Sequence, residues 1–161
     1  MRTTRSYIDS NLPLGSSLEL PDAIATHLVR VLRLGVGDEL ILFNGDGKDY
    51  RARIAEMGKR SARVDLLDAT DVKAESPLRI TLAQAIARGE KMDWVLQKAT
   101  ELGVSCIATV STERTEVRLD AERSDRRMQH WEGVVASACE QCGRARLPKL
   151  VEPQSLSQFL A

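Results

Sequence analysis

Arg114, Glu140, Gln141 and Arg144 are the side chains whose types and placement could do chemistry on a polar substrate. A carboxylate can take a proton, and an arginine can hold a developing negative charge. Each also has a plainer reading. Arg114 is one charge in a polar segment, Ser111 to Leu119, that also holds Glu113, Glu116 and Arg118. Glu140 and Arg144 are spaced i, i+4. On a helix that spacing gives an ion pair worth only a few tenths of a kcal/mol, with no use for Gln141. Position weighs on the other side for Arg114. It follows an apolar run that reads as a parallel strand, and open α/β sheets place ligands beyond the carboxyl ends of such strands. Arg88-Gly89-Glu90-Lys91 is a second candidate. A helix N-terminus favours an anion such as an RNA phosphate, and glycine permits close backbone approach. An ordinary strand-to-helix turn fits the same four residues. The absence of G-x-G-x-x-G argues against a Rossmann dinucleotide site.

The elements that must position these residues begin with Leu78 to Val110. Leu78–Ala87 reads as a buried strand. Met92, Val95, Leu96, Ala99 and Leu102 form one stripe of an amphipathic helix. Gly103 should stop that helix in a left-handed conformation. Cys106–Val110 is a second strand, so the unit is βαβ and its sheet parallel. Asp120 is the expected N-cap of the next helix. Met128, Trp131, Val134, Val135, Ala138 and Cys142 form that helix's apolar stripe, with Arg123, Arg126 and Arg127 on its wet side. Lys149–Glu152 is a third strand, and Ser155 should cap a last helix.

Residues 1–72 read differently, as short strands with one short helix. Strands are expected near Ile8, at Ser17–Leu20, Glu39–Phe43, Tyr50–Ile54 and Ala62–Leu66, with a helical turn over Ala23–Val31. Asn44-Gly45-Asp46-Gly47 is a strong hairpin signal, because these residues tolerate positive φ. Short strands at this spacing predict a small barrel. Asp68–Pro77 is polar, and the boundary is placed near Glu75, giving units 1–72 and 76–161. In the first unit Arg2, Arg5, Arg30 and Arg33 are candidates for phosphate contacts; Arg30 and Arg33, three apart on a helical turn, could point the same way.

Lysine plus arginine equal aspartate plus glutamate at 23 each, so a uniformly basic RNA-coating protein is excluded and RNA affinity must be local. Few aromatics argue against a platform that stacks bases. No apolar run approaches the ~20 residues of a membrane helix, and the N-terminus lacks a signal-peptide core, which points to the cytoplasm. Three cysteines without a secretory signal predict reduced, buried thiols. Cys139 and Cys142 form a C-x-x-C pair that closes a helix and has no second pair to complete a zinc site, so no metal is expected.

The stretches RGEKMDWVLQKATELGV, Ser111-Thr112-Glu113-Arg114 and ACEQCGRARLP resemble the RsmE family, 16S rRNA uridine-N3 methyltransferases of the SPOUT superfamily. HLVRVLRLGVGDELILFNGDGKDYRARI resembles the PUA-like barrel that precedes the methyltransferase domain in that family. The resemblance implies a PUA-like barrel followed by a SPOUT-type α/β domain with a parallel sheet. It implies S-adenosylmethionine as methyl donor, 16S rRNA or the small ribosomal subunit as partner, and a homodimer. Residue by residue, it implies a role for Arg114 at the RNA or the target base, and for Glu140, Gln141 and Arg144 at the edge of the active site. Because methylating N3 requires loss of a weakly acidic proton, Glu140 as base and Arg114 or Arg144 as the cation for the uracil anion are the catalytic candidates. Gln141 would lie at the RNA with Arg88 and Lys91. The family's GPEGG and arginine-rich knot segments do not occur here. The donor site is therefore expected beyond Ala161, and this polypeptide alone is expected to be inactive. A non-catalytic RNA-binding module is the competing reading. An unrelated small nucleotide-binding enzyme fits less well with motifs spread over the whole chain.

Overall fold

The structure is a computed structural model of the 161-residue chain, described for residues 4–112 and 121–161, with side chains of 121–123 left aside. It divides into two compact units, Met1–Ala74 with Gly143–Arg146, and Glu75–Cys142 with Leu147–Ala161. The return of four residues to the first unit departs from the simple division expected at Glu75.

The first unit holds β1 (Arg5–Tyr7), β2 (Ser17–Glu19), α1 (Asp22–Arg30), β3 (Glu39–Phe43), β4 (Lys48–Met57) and β5 (Ala62–Asp71). The strands form one sheet in the order β1-β3-β4-β5-β2. Only β1 with β3 is parallel. The chain is β-rich here because β3, β4 and β5 alternate apolar and polar residues, burying Leu40, Leu42, Ala52, Ile54, Val64 and Leu66. Leu28 and Ala25 of α1 complete that core. β4 and β5 extend well beyond the apolar alternation, each to ten residues, because an antiparallel ladder continues through polar pairs such as Arg51 with Asp68.

The turn between β3 and β4 uses the expected chemistry. Gly45 and Gly47 have φ of +93° and +99°, and Asp46 Oδ1 accepts the Lys48 N–H at 2.8 Å. Asp46 Oδ2 also accepts the Tyr50 hydroxyl at 2.6 Å. That hydrogen bond to a carboxylate, reinforced by burial and by the charge of Asp46, pushes the Tyr50 phenol up to about 12. A phenol raised above its unfolded value near 10 stabilises the fold fully below that value, and the contribution is lost as pH rises toward 12. Alkaline denaturation midpoints should therefore fall between pH 10 and 12, and Tyr50→Phe should flatten that slope; an unchanged slope in the variant would remove Asp46–Tyr50 as its cause.

The second unit holds β6 (Thr81–Ala85), α2 (Glu90–Glu101), β7 (Cys106–Ser111), α3 (Ala121–Cys142), β8 (Lys149–Ser155) and α4 (Leu156–Leu160). All three strands are parallel in the order β6-β7-β8. Right-handed crossovers that step the same way across a sheet put their helices on one face. Accordingly Met92 and Leu96 of α2 share a core with Trp131 and Val135 of α3 and Ile107 of β7. Gly103 ends α2 at φ +87°, and Ser155 caps α4 by accepting the Gln158 N–H while the Gln158 side chain accepts the Ser155 N–H.

Three expectations need correction. β6 is shorter than Leu78–Ala87 and is not a buried strand: the sheet order leaves it at an edge, with Leu78 and Ile80 exposed. Leu102 leaves the apolar stripe because it sits past the last helical residue, 81% exposed. Cys142 is exposed rather than buried, at the end of α3, while Cys139 is buried. Pro153 is tolerated within β8 because that strand is also an edge and its register shifts there between Ala108 and Val110 of β7.

Candidate functional site

The first unit contains a clasp that sequence reasoning did not see. Arg5, in β1, donates from Nη2 to Asp49 Oδ1 at 2.5 Å and to the Arg144 carbonyl at 3.3 Å. Its guanidinium carbon lies 4.8 Å from the centre of the Phe43 ring, a cation–π geometry. Its Nε is buried without a hydrogen-bond partner among the described residues. Burial pushes the Asp49 carboxyl upward, outweighing the pull of the Arg5 charge in the other direction. Two residues before Asp49, the Gly47 N–H donates to the Ala145 carbonyl at 3.1 Å. A Cβ on Gly47 would lie only 2.5 to 2.7 Å from the Arg146 guanidinium, so that glycine makes room for the arginine. Two backbone carbonyls of the 143–146 segment are thus held by the first unit.

This corrects the reading of Arg5 as a phosphate contact. Its side chain is 11% exposed and committed to Asp49 and Phe43. It also changes the geometry around Arg144. Gly143, at φ +86°, ends α3, so Arg144 lies past the helix and is not the i+4 neighbour of Glu140 on a helical face. Arg144 is 5% exposed and packs with the first unit. Glu140 is half-buried and Gln141 exposed in the last turn of α3, in the second unit.

The remaining candidates are on the surface or outside the described residues. Arg30 and Arg33 are exposed, but α1 ends at Arg30 and Arg33 lies beyond it with φ +55°, so their expected alignment on one helical turn does not hold. Arg88 and Lys91 are exposed on either side of Gly89, the N-cap of α2, whose φ of +58° only glycine adopts readily. Arg2 and Arg114, with Glu113, Glu116, Arg118 and the expected cap Asp120, lie outside the described residues. Among those described, no group of three histidine, cysteine, aspartate or glutamate side chains could hold a metal, and no helix is long and apolar enough to cross a membrane.

An open cleft of about 690 Å³ runs between α2 and α3, lined by Asp93, Trp94, His130, Gly133 and Gln141 among others. Asp93 and His130 close it at one side, 2.9 Å apart. Every lining residue belongs to one of the two helices, so the cleft does not reach the strand ends where α/β sheets bind ligands.

The two units correspond to two known families of RNA methyltransferase domain. Residues 20–67 match the RNA methyltransferase PUA domain, and residues 74–161 match the RNA methyltransferase domain. The ribosomal RNA small subunit methyltransferase E of Buchnera aphidicola is 31% identical over 152 residues, covering 94% of this chain and 60% of the relative. A Legionella pneumophila protein solved in complex with S-adenosylmethionine superposes with a TM-score of 0.95 at 42% identity, covering 99% of this chain and 66% of that one. The small subunit methyltransferase E of Neisseria gonorrhoeae, also solved with S-adenosylmethionine, gives 0.93 at 41% identity, with 99% and 65% covered. The chain belongs to the RsmE family of rRNA methyltransferases, with a PUA-like unit and a SPOUT methyltransferase unit. It spans about 60% of the length of the curated relative.

The cleft between α2 and α3 lies away from the strand ends and carries Glu90 and Asp93 on its wall.

Proposed function

We propose that this chain serves the methylation of N3 of a uridine in 16S rRNA, with S-adenosylmethionine as the methyl donor. The observation that carries the reading is the succession, in one chain, of an RNA methyltransferase PUA match and an RNA methyltransferase domain match. Two close structural relatives hold the same donor. The uracil N3–H is too weak an acid to be ionised at neutral pH, so a base and a cation are needed. Glu140 takes the proton, and Arg114 or Arg144 stabilises the uracil anion. Arg2, Arg30, Arg33, Arg88, Lys91 and Gln141 hold the RNA. The protein works in the cytoplasm, on the small ribosomal subunit, as a homodimer.

The donor supplies an electrophilic methyl group, and its binding residues are proposed to lie outside residues 1–161. The 161-residue polypeptide should then show no saturable S-adenosylmethionine binding by isothermal titration; saturable binding in the micromolar range would move the donor site into this chain. The reaction itself is tested with a chimera in which Ala161 is followed by the C-terminal third of the gonococcal relative. Tritiated methyl from S-adenosylmethionine should appear on N3 of one uridine in small ribosomal subunits. Label on carbon 5 or on ribose would overturn the assignment. RNA binding without any transfer by a folded chimera would favour a non-catalytic RNA-binding module.

A further inference from the structure

The loop that leaves α1 holds three aliphatic side chains in water. Val31 is 64% exposed, Leu32 36% and Val36 66%. Isolated exposed aliphatic residues are ordinary, but three within six residues form a cluster. Nor are they exposed because the chain is loosely held. Val31 and Leu32 N–H groups both donate to the His27 carbonyl, and the Leu34 N–H donates to the Leu28 carbonyl at 3.0 Å. Leu34 itself packs against the core of the unit. Gly35 N–H donates to Asp38 Oδ2 at 2.7 Å, and Gly37 N–H to the Ile54 carbonyl at 2.8 Å. Anchored on both sides, the loop keeps Val31, Leu32 and Val36 facing out.

Arg33 sits in the middle of this loop with φ +55°, and it is the one non-glycine residue with positive φ among those described. The left-handed region is disfavoured for any side chain beyond glycine, asparagine and aspartate. A strained arginine between exposed aliphatic residues is the kind of local cost that folds keep at binding sites. The charge around it is positive. Arg30 and Arg33 are both exposed, Glu39 is paired with Arg53 at 2.7 Å, and the one carboxylate of the loop, Asp38, is turned back onto the Gly35 N–H, so the two arginines outnumber it.

We infer that Val31, Leu32 and Val36 form an apolar contact surface for unpaired nucleotides of RNA, framed by Arg30 and Arg33 on the flanking phosphates. The patch lies inside the residues that match an RNA methyltransferase PUA domain. Positive charge selects RNA over an uncharged or basic protein surface. Aliphatic side chains pack on the faces of bases and on ribose without reading their edges, so the patch grips unpaired RNA with little sequence preference. The inference rests on the proposal that this unit binds RNA and names the side chains that do so.

The test uses the 161-residue chain and a fluorescently labelled RNA hairpin with a uridine-containing, single-stranded loop, titrated at several salt concentrations. Arg30→Ala with Arg33→Gly should weaken binding about tenfold near 0.1 M salt and reduce the slope of log K against log salt by about 1.4, two phosphates at roughly 0.7 each. Arg33→Gly by itself should leave thermal stability unchanged or raised, because glycine accepts the left-handed backbone. Val31→Ser with Val36→Ser should weaken binding at least threefold at an unchanged salt slope. If every variant binds as the wild type does, the patch is not the contact, although the RNA-binding reading survives. If the arginine variant alone loses affinity, the apolar half of the inference is wrong. A wild-type chain that binds no RNA even at 0.05 M salt overturns the inference together with the reading beneath it.

Discussion

Asp49→Ala is expected to destabilise the first unit by about 2–4 kcal/mol, measured as a shift in urea unfolding followed by circular dichroism. The reason is what it leaves behind. Arg5 is 11% exposed, with Asp49 as its carboxylate partner and one guanidinium nitrogen already buried without a hydrogen bond. Removing the carboxylate strands a charge that has little water to turn to. The pair itself is a poor source of stability. Burial raises the Asp49 carboxyl, so keeping it ionised costs the native state something as pH rises through the carboxylate range. Replacing both partners, Arg5→Met with Asp49→Leu, should therefore recover most of the loss. A double variant as unstable as Asp49→Ala would show that the pair stabilises in its own right. Arg5 also holds the Arg144 carbonyl, so the same substitution loosens the backbone that carries a proposed catalytic arginine.

Trp131→Ala should cost about 3–5 kcal/mol in the second unit, the range for deleting a buried aromatic side chain. Trp131 is 2% exposed and packs where α2, α3 and β7 meet, with Met92, Leu96, Val135 and Ile107 in the same core. The first core shares none of these residues, being built around Leu28, Leu40, Leu42, Ile54 and Val64. The variant should thus melt its two units at different temperatures. Trp94 would remain as the one tryptophan, 63% exposed on α2, and its emission would report the second unit. A single cooperative transition, displaced as a whole, would mean that the two cores unfold as one.

Much of this architecture is legible in the sequence because it is local. Asn44–Gly47 announces its turn by residue type, and two of its glycines take the positive φ expected of them. The α2 stripe apart from Leu102 follows from spacing, and the stop at Gly103 and the cap at Ser155 from residue type. What resisted reading is of longer range. Arg5 looks like a surface arginine from its neighbours, and its partner Asp49 is 44 residues away. Glu140 and Arg144 look like a helical pair until Gly143 ends the helix between them. Arg146 stands in the stretch that carries the family resemblance, yet nothing in that stretch says that Gly47 makes space for it. Nor does a short apolar run reveal whether its strand lies at the centre of a sheet or, like β6, at its edge. The positive φ of Arg33 leaves no trace in residue types, since a glycine would have signalled it and an arginine does not.

The four residues that return to the first unit also bear on how this protein can be dissected. A gene fragment ending at Ala74 encodes every strand of the first sheet but not Gly143–Arg146. It would leave the Gly47 N–H without the Ala145 carbonyl and Arg5 without the Arg144 carbonyl. Excision at the apparent boundary therefore removes a piece of the wall along with the neighbouring room. A faithful minimal RNA-binding fragment has to be spliced, with residues 143–146 restored through a designed linker, rather than cut.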